Sequence, residues 1–371
     1  MSEQTAPPIA SRGGTDDTGA MISFRHERLR EIGVGILVAA GAAPDDAAIV
    51  SDHLVEANLA GHDSHGIGML PQYVRAIRGG VVNPRAHARV EDRGGAVLAV
   101  DGQRGFGQVV AREAIAAGMT RAGAFGVALV ALRNASHVGR VGAYGEQAAA
   151  AGFASVHFAN VVGHPALVAP FRGSDARFST NPVCVTLPPG KGRPAVVLDF
   201  ATSVSALGKV RVALHRGERV PEGALIDAQG SPTTDPAVMF QEPRGALLSF
   251  GLHKGYGLAF ACELLAGALT GGGTLSTVPF ETDRIGNNML SFLFDPRRLP
   301  GADELEEEIA AAIDYVKASP PVDPALPVLV AGEPENMARA QRRANGILVE
   351  RATWEQIREA ATSVGMSVEV D

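Results

Sequence analysis

Three observations predict an α/β fold. Short apolar, β-branched runs recur through the middle of the chain, helical patterns alternate with them, and amphipathic helical patterns occupy both ends. Taken in order, residues 1–20 are rich in Ser, Thr, Gly, Pro and Asp and read as a disordered leader. Over 25–60 the pattern is helical: Val50, Leu54 and Ala57 recur at helical spacing, Asp45 and Asp46 sit at a start, and Gly61 is a C-terminal stop. A second helix carries Ile67, Leu70, Val74 and Ile77 on one face. Buried strands are expected at 96–100, 126–132, 154–160, 183–187 and 195–199, alternating with helices at 108–121, 144–151 and 257–269. Residues 290–294 read as a late strand and 304–318 as an amphipathic helix. Four prolines, Pro320, Pro321, Pro324 and Pro327, then make a stiff linker to a short strand and a final helix near 352–361. No internal repeat is visible.

Bulk properties exclude several classes. A chain of 371 residues is long enough to form two lobes. Its net charge is −7 and its 33 basic residues are scattered rather than striped, which argues against nucleic acid or an anionic membrane as partner. Cys184 and Cys262 each lie in an apolar run, so a disulfide framework and a CxxC metal site are excluded and buried free thiols are expected. The longest apolar run, 257–271, is too short to span a bilayer and carries Glu263. No charged segment followed by an apolar core opens the chain, so a reducing, cytoplasmic location is expected.

Chemistry concentrates in three histidine loops. The first, Gly61-His62-Asp63-Ser64-His65-Gly66, packs two imidazoles, a carboxylate and a hydroxyl between two predicted helices. Asp63 or Ser64 as caps of the next helix would explain those two residues but not His65, which is expected to donate a proton in its protonated form, steadied by Ser64 or Asp199. His62, Asp63 and His65 also form a possible metal set. Their loop spacing lacks the helical turn of HExxH sites, so acid–base work ranks above a metal-dependent hydrolase or aldolase and no metal is expected. Such an enzyme would lose activity to a chelator and ignore a nicotinamide cofactor. In the second loop His137 precedes Gly139-Arg140-Val141-Gly142, where glycines at a strand-to-helix turn let backbone approach an anion; tight packing explains them nearly as well. No G-x-G-x-x-G fingerprint follows a strand anywhere. The third loop places His253 and Lys254 before an apolar helix, where a cation opposes the helix dipole unless an anionic ligand is bound. Asp199 ends a strand at a position where open sheets bind ligands, and Asn181 reads equally as ligand contact or turn residue.

Several stretches together resemble the malate/L-lactate dehydrogenase-like oxidoreductases, which are unrelated to the Rossmann-type enzymes. They are residues 61–73 (GHDSHGIGMLPQY), 134–145, 179–182 (STNP), 198–209 (LDFATSVSALGK), 232–236 (PTTDP) and 253–273. The resemblance runs from about residue 22 to the C-terminus. It implies a non-Rossmann nucleotide-binding fold with a mixed sheet and a helical lobe from the N- and C-terminal segments. The corresponding organisation is a helical lobe over 21–95, the nucleotide-binding domain over 96–300, and a C-terminal segment, 301–371, packed on the helical lobe. It implies reversible reduction of a 2-oxo acid by NAD(H) or NADP(H) in a homodimer; reduction of a cyclic imine by the same fold is the alternative. The resemblance puts His65, Ser64, His137 and Asp199 in the catalytic set. Cofactor contacts fall on His65, Gly139, Arg140, Val141, Val197, Leu198, Asp199, Phe200, Ala201, His253, Lys254, Asn287, Gly332, Glu333, Pro334 and Glu335, and substrate contacts on Arg140, Tyr73 and Asn181. Many relatives hold the substrate carboxylate with an arginine where this chain has Met69; Arg140 is the cation expected to replace it.

Overall fold

Two short strands tie the chain ends together in the computed structural model, which describes residues 21–215 and 217–370; the predicted leader lies outside the described residues. β1 (Met21–Phe24) leads into α1 (His26–Ala39), α2 (Pro44–Leu59) and, after the first histidine loop, α3 (Leu70–Arg78). The predicted 25–60 helix is therefore two helices. Gly41 turns at φ +110° and Pro44, which has no N–H to donate, opens α2.

β2 (Arg89–Asp92), β3 (Val97–Asp101), α4 (Gly107–Phe125), β4 (Val127–Ser136), α5 (Gly142–Ala150), β5 (Ala154–Val162), β6 (Val183–Leu187) and β7 (Val196–Phe200) follow. Next come α6 (Leu207–His215), β8 (Leu225–Ile226), β9 (Pro232–Thr233), β10 (Ala246–Leu247) and α7 (His253–Cys262), which runs into a π-helical turn (Glu263–Ala268). The chain closes with β11 (Gly286–Phe294), α8 (Leu305–Lys317), α9 (Glu333–Asn345), β12 (Ile347–Glu350) and α10 (Arg351–Ser363).

The main sheet has the order β2-β3-β4-β11-β5-β6-β7. Only β3 and β4 pair in parallel, so the sheet is mixed as expected. Val110 and Ile115 of α4 pack with Val100, Leu132 and Leu293 of the sheet in one core. The other large core joins Leu29, Leu54 and Leu70 to Trp354 and Ile357 of α10, and the Phe24 ring packs tilted against Trp354 with centroids 4.7 Å apart. Burying each such side chain stabilises the fold by about 1.5–3 kcal/mol.

Sequence reading missed α9 because none of its residues is buried, so it offers no apolar stripe. Pro334 at its start, Glu333 and Glu335 in the first turn and Arg342 and Arg343 in the last are the signals that were there to be read. The third histidine loop is the first turn of α7. Gly255 is required there because a Cβ would lie 2.0 Å from the Phe250 carbonyl oxygen.

Candidate active site

The first histidine loop is clamped from three sides. Gly61 turns the chain out of α2 at φ +85°. Buried Asn58, one helical turn past Leu54, donates to Asp63 Oδ1 at 2.6 Å and accepts the Ile67 N–H at 2.7 Å. Asn58, rather than Asp63 or Ser64, thus serves the helical start after Gly66. From α6, Gly208 presses on Ser64, where a Cβ would come within 2.8 Å. From α9, Arg342 grips Asp63 at 2.6 and 3.0 Å, and Glu335 meets His62 at 3.3 Å. Ser64 Oγ lies 3.0 Å from His65 Nδ1. The proposed metal set is thereby split among three partners: Glu335 for His62, Arg342 for Asp63 and Ser64 for His65.

His137 enters the same space from the end of β4. The first turn of α4 docks against its backbone, with no room for a side chain at Gly107, whose Cβ would lie 2.3 Å from the His137 carbonyl. The His65 and His137 rings stack with centroids 5.5 Å apart and planes at 15°. Tyr73 Oη is 2.8 Å from His137 Nδ1, and Gln108 donates to the same oxygen at 2.6 Å. A cleft beside this group is walled by Ala76, Val82, Phe106 and Ile285, with Gln72 and Asp283 at its edge.

Behind the pair lies a charged turn. Arg140 is buried; its Nη2 pairs with Glu146, and Nη1 stands 3.7 Å from Asp199 without a hydrogen-bond partner. Asp199 accepts the Gly142 N–H at 2.9 Å. His53 of α2, which sequence reading left as a helical residue, accepts the Arg140 N–H at 3.0 Å, and Gly139 is needed because a Cβ would sit 2.4 Å from that imidazole. Two expectations narrow here. Asp199 makes no bond to His65, whose support is Ser64. The Arg140 guanidinium, expected to stand in for the cation missing at Met69, is already engaged by acidic neighbours, while Met69 packs against the helical core.

The remaining candidates separate. Val197 donates to the Ala331 carbonyl at 3.2 Å, which brings β7 against the turn at Gly332 and the start of α9, where Glu333 pairs with Lys317. Leu198, Phe200, Ala201 and Pro334 belong to these two segments. Asn287 uses both ends of its amide within the protein, accepting from Val138 N at 3.0 Å and donating to the Asn160 carbonyl at 2.8 Å. Asn181 is fully buried and donates to Glu263 at 2.7 Å, holding the π-helical turn. His253 and Lys254 are exposed, and the ring neighbour of His253 is Phe171 at 5.9 Å. Asn181 Oδ1, by contrast, is buried without a hydrogen-bond partner, and His253 and Lys254 lie outside the paired-histidine group. Cys184 and Cys262 are free and buried, as expected, and burial pushes both thiols up to about 12.

Electrostatics keep the imidazoles neutral. Burial, then the nearby His62 and Arg140, pushes His65 down to about 4; burial with Arg140 and His65 pushes His53 to about 3. His137 is driven well below its ordinary range by burial and by His65 and His53. The expected protonated His65 is thus corrected for the protein alone. Burial raises the Asp199 carboxyl against the pull of Arg140. The linkage sign follows. Unfolded imidazoles titrate near 6.5, so between about pH 6.5 and 4 the unfolded chain binds protons that the folded one refuses. His87, held up by Glu113, and the carboxyls of Asp199 and Asp46, raised by burial, oppose this, but the depressed imidazoles of His53, His65, His137 and His157 outnumber them. Stability should therefore fall as pH drops through that window, read as a falling urea midpoint; a midpoint unchanged from pH 7 to pH 4.5 would contradict these environments.

Comparisons with known proteins agree with this architecture. The family model for malate/L-lactate dehydrogenase matches residues 24–358. Hydroxycarboxylate dehydrogenase B of Escherichia coli K12 is 48% identical over 331 residues, covering 89% of this chain and 91% of the relative. The sulfolactate dehydrogenase structure from Methanocaldococcus jannaschii superposes with a TM-score of 0.84 at 31% identity, covering 93% of this chain and 98% of that one. The Δ1-piperideine-2-carboxylate reductase structure from Pseudomonas syringae gives 0.78 at 29% identity, covering 92% and 100%. No helix among the described residues is long and apolar enough to cross a membrane. The chain belongs to the malate/L-lactate dehydrogenase family and is an oxidoreductase of the 2-hydroxy acid dehydrogenase class, a family that uses a nicotinamide cofactor.

Proposed function

We propose that this protein reversibly reduces a 2-oxo acid to the 2-hydroxy acid, with His65 delivering the proton to the carbonyl oxygen. The stacked His65–His137 pair carries this reading. Each Nδ1 lies against a hydroxyl, Ser64 or Tyr73, and each Nε2 has no partner among the described residues. Two imidazoles held this way direct hydrogen-bonding capacity at one small space, as proton transfer to a developing oxyanion requires. In the protein alone His65 is neutral. The carboxylate of a bound 2-oxo acid is the opposite charge that draws a proton onto it. The substrates proposed are of the lactate, malate and aryl-lactate types.

The residues also fit a nicotinamide cofactor, NAD(H) or NADP(H). Arg140 Nη1 is a buried cationic nitrogen without a hydrogen-bond partner, and at Gly142 a Cβ would lie 2.3 Å from it and 2.5 Å from Asp199 Oδ2. When bound, the cofactor supplies the hydride. We assign its binding to the turn Gly139, Arg140 and Val141, to Val197 through Phe200 of β7 with Ala201 just after it, and to the adjoining segment Gly332 to Glu335. Arg140 organises this region by joining the turn to Glu146 and Asp199. The homodimer is supported by the exposed apolar side chains Leu252, Phe260, Leu264 and Leu269 along α7 and its π turn. The unpaired cysteines suit the cytoplasm.

Likeness to the piperideine-carboxylate reductase supports a second reading, reduction of a cyclic imine acid. Both are tested by following nicotinamide absorbance with NADH and NADPH against pyruvate, oxaloacetate, 2-oxoglutarate, phenylpyruvate and a cyclic imine carboxylate. A 2-oxo acid should be consumed with kcat/KM of about 10⁴ M⁻¹s⁻¹ or more. Turnover of the imine alone would transfer the assignment to the second reading.

A further inference from the structure

Gln108 stands at the head of α4 with its side chain almost fully buried, and neither the family motifs nor the proton-transfer reading uses it. Its amide nitrogen donates to Tyr73 Oη at 2.6 Å, while its carbonyl oxygen is buried without a partner. Tyr73 Oη in turn lies 2.8 Å from His137 Nδ1. The phenol has one proton and two lone pairs. With Gln108 donating its N–H to one lone pair, the only acceptor within reach of the phenol's own proton among the described residues is His137 Nδ1, and a phenol donating there requires an Nδ1 without hydrogen. A neutral His137 must then carry its proton on Nε2.

We propose that Gln108 is a positioning residue that sets the tautomer of His137, so that the ring offers an Nε2–H donor beside His65. The chain of donors runs from the Gln108 amide through the Tyr73 hydroxyl to His137 Nδ1, and each member is held by the fold. Gly107 admits no side chain against the His137 backbone, which seats the first turn of α4 and hence Gln108. Tyr73 is buried on α3, its ring 6.4 Å from that of Phe106. Burial keeps His137 uncharged, so the choice of tautomer is the choice of which nitrogen donates. The opposite tautomer would present a bare Nε2, an acceptor, where negative charge develops on the substrate oxygen. The division of labour is then that His65 gives the proton and His137 donates a hydrogen bond. This part rests on the proposed function; the tautomer itself does not.

The test is nitrogen NMR of ¹⁵N-histidine-labelled protein near pH 7.5, with the His137 signals assigned by their loss in His137→Asn. In the natural sequence Nδ1 should give the shift of an unprotonated ring nitrogen and Nε2 that of an N–H. In Gln108→Leu, with no donor to Tyr73, both signals should move toward the average of the two tautomers. An Nδ1–H in the natural protein overturns the proposal, as does an unshifted Nε2–H in Gln108→Leu. The first measurement does not use Gln108→Leu, so it decides even if that substitution unfolds the chain. Turnover of 2-oxo acid in Gln108→Leu reads the other part: comparable tautomer populations leave roughly half the molecules competent, so kcat should fall at least about twofold with cofactor KM unchanged. A switched tautomer with unchanged kcat would remove His137 from the reaction while leaving the role of Gln108 in setting its tautomer intact.

Discussion

Replacing His65 with alanine should lower kcat for 2-oxo acid reduction by about 10²–10⁴-fold, the range expected when a positioned general acid is lost. The fold should survive. His65 is only partly buried, and Asn58, Arg342 and Gly208 hold its loop from three sides without using the imidazole. Circular dichroism and the urea midpoint at pH 7.5 should therefore stay close to those of the natural protein. Ser64→Ala should have a smaller effect, since it removes one hydrogen bond to Nδ1 and leaves the ring in place. Near-normal turnover by His65→Ala would remove the acid from the mechanism, and the stacked pair would then be a packing feature.

Arg140→Met is expected to cost about 3 kcal/mol of stability, because removing one member of a buried charge group leaves its partners uncompensated. Asp199 carries most of this cost: its carboxylate is buried, and Arg140 is the cation that pulls on it most strongly. Glu146 retains Arg339 at 2.6 Å, which places the loss at the lower end of the usual range. Adding Asp199→Asn to Arg140→Met should recover part of the loss, since an uncharged amide needs no counter-ion. Urea unfolding of the single and double variants measures this. Unchanged stability in the single variant would mean that the pair contributes nothing to the fold.

Much of this architecture could be read from sequence because periodicity reports burial. The β-branched runs at 154–160 and 183–187 became β5 and β6, and the helix read over 108–121 became α4, while the mixed pairing of the sheet was implied by the resemblance alone. His65, Ser64 and His137 were legible because titratable groups crowded between glycines are uncommon. What escaped was polar chemistry hidden inside helices. His53, Asn58 and Gln108 each interrupt the inward face of an amphipathic pattern, and single-sequence reading assigns such residues to the helix rather than to the loop they serve. Arg342 was invisible for another reason: it acts on Asp63 across 279 residues of sequence, a pairing set by tertiary packing alone. Asn181 and Asn287 differ in what the fold does with their amides. Asn287, offered by the resemblance as a cofactor contact, has both ends of its amide engaged within the protein, whereas Asn181 has its nitrogen engaged and its Oδ1 buried without a partner.

The central claim, that His65 acts as the acid, is tested most directly by chemical rescue. His65→Gly should be nearly inactive with a 2-oxo acid and should regain activity when imidazole is added. The account predicts that rescue follows the protonated imidazolium, declining as pH rises through the pKa of the added imidazole. Rescue that instead grows with the neutral base would contradict it.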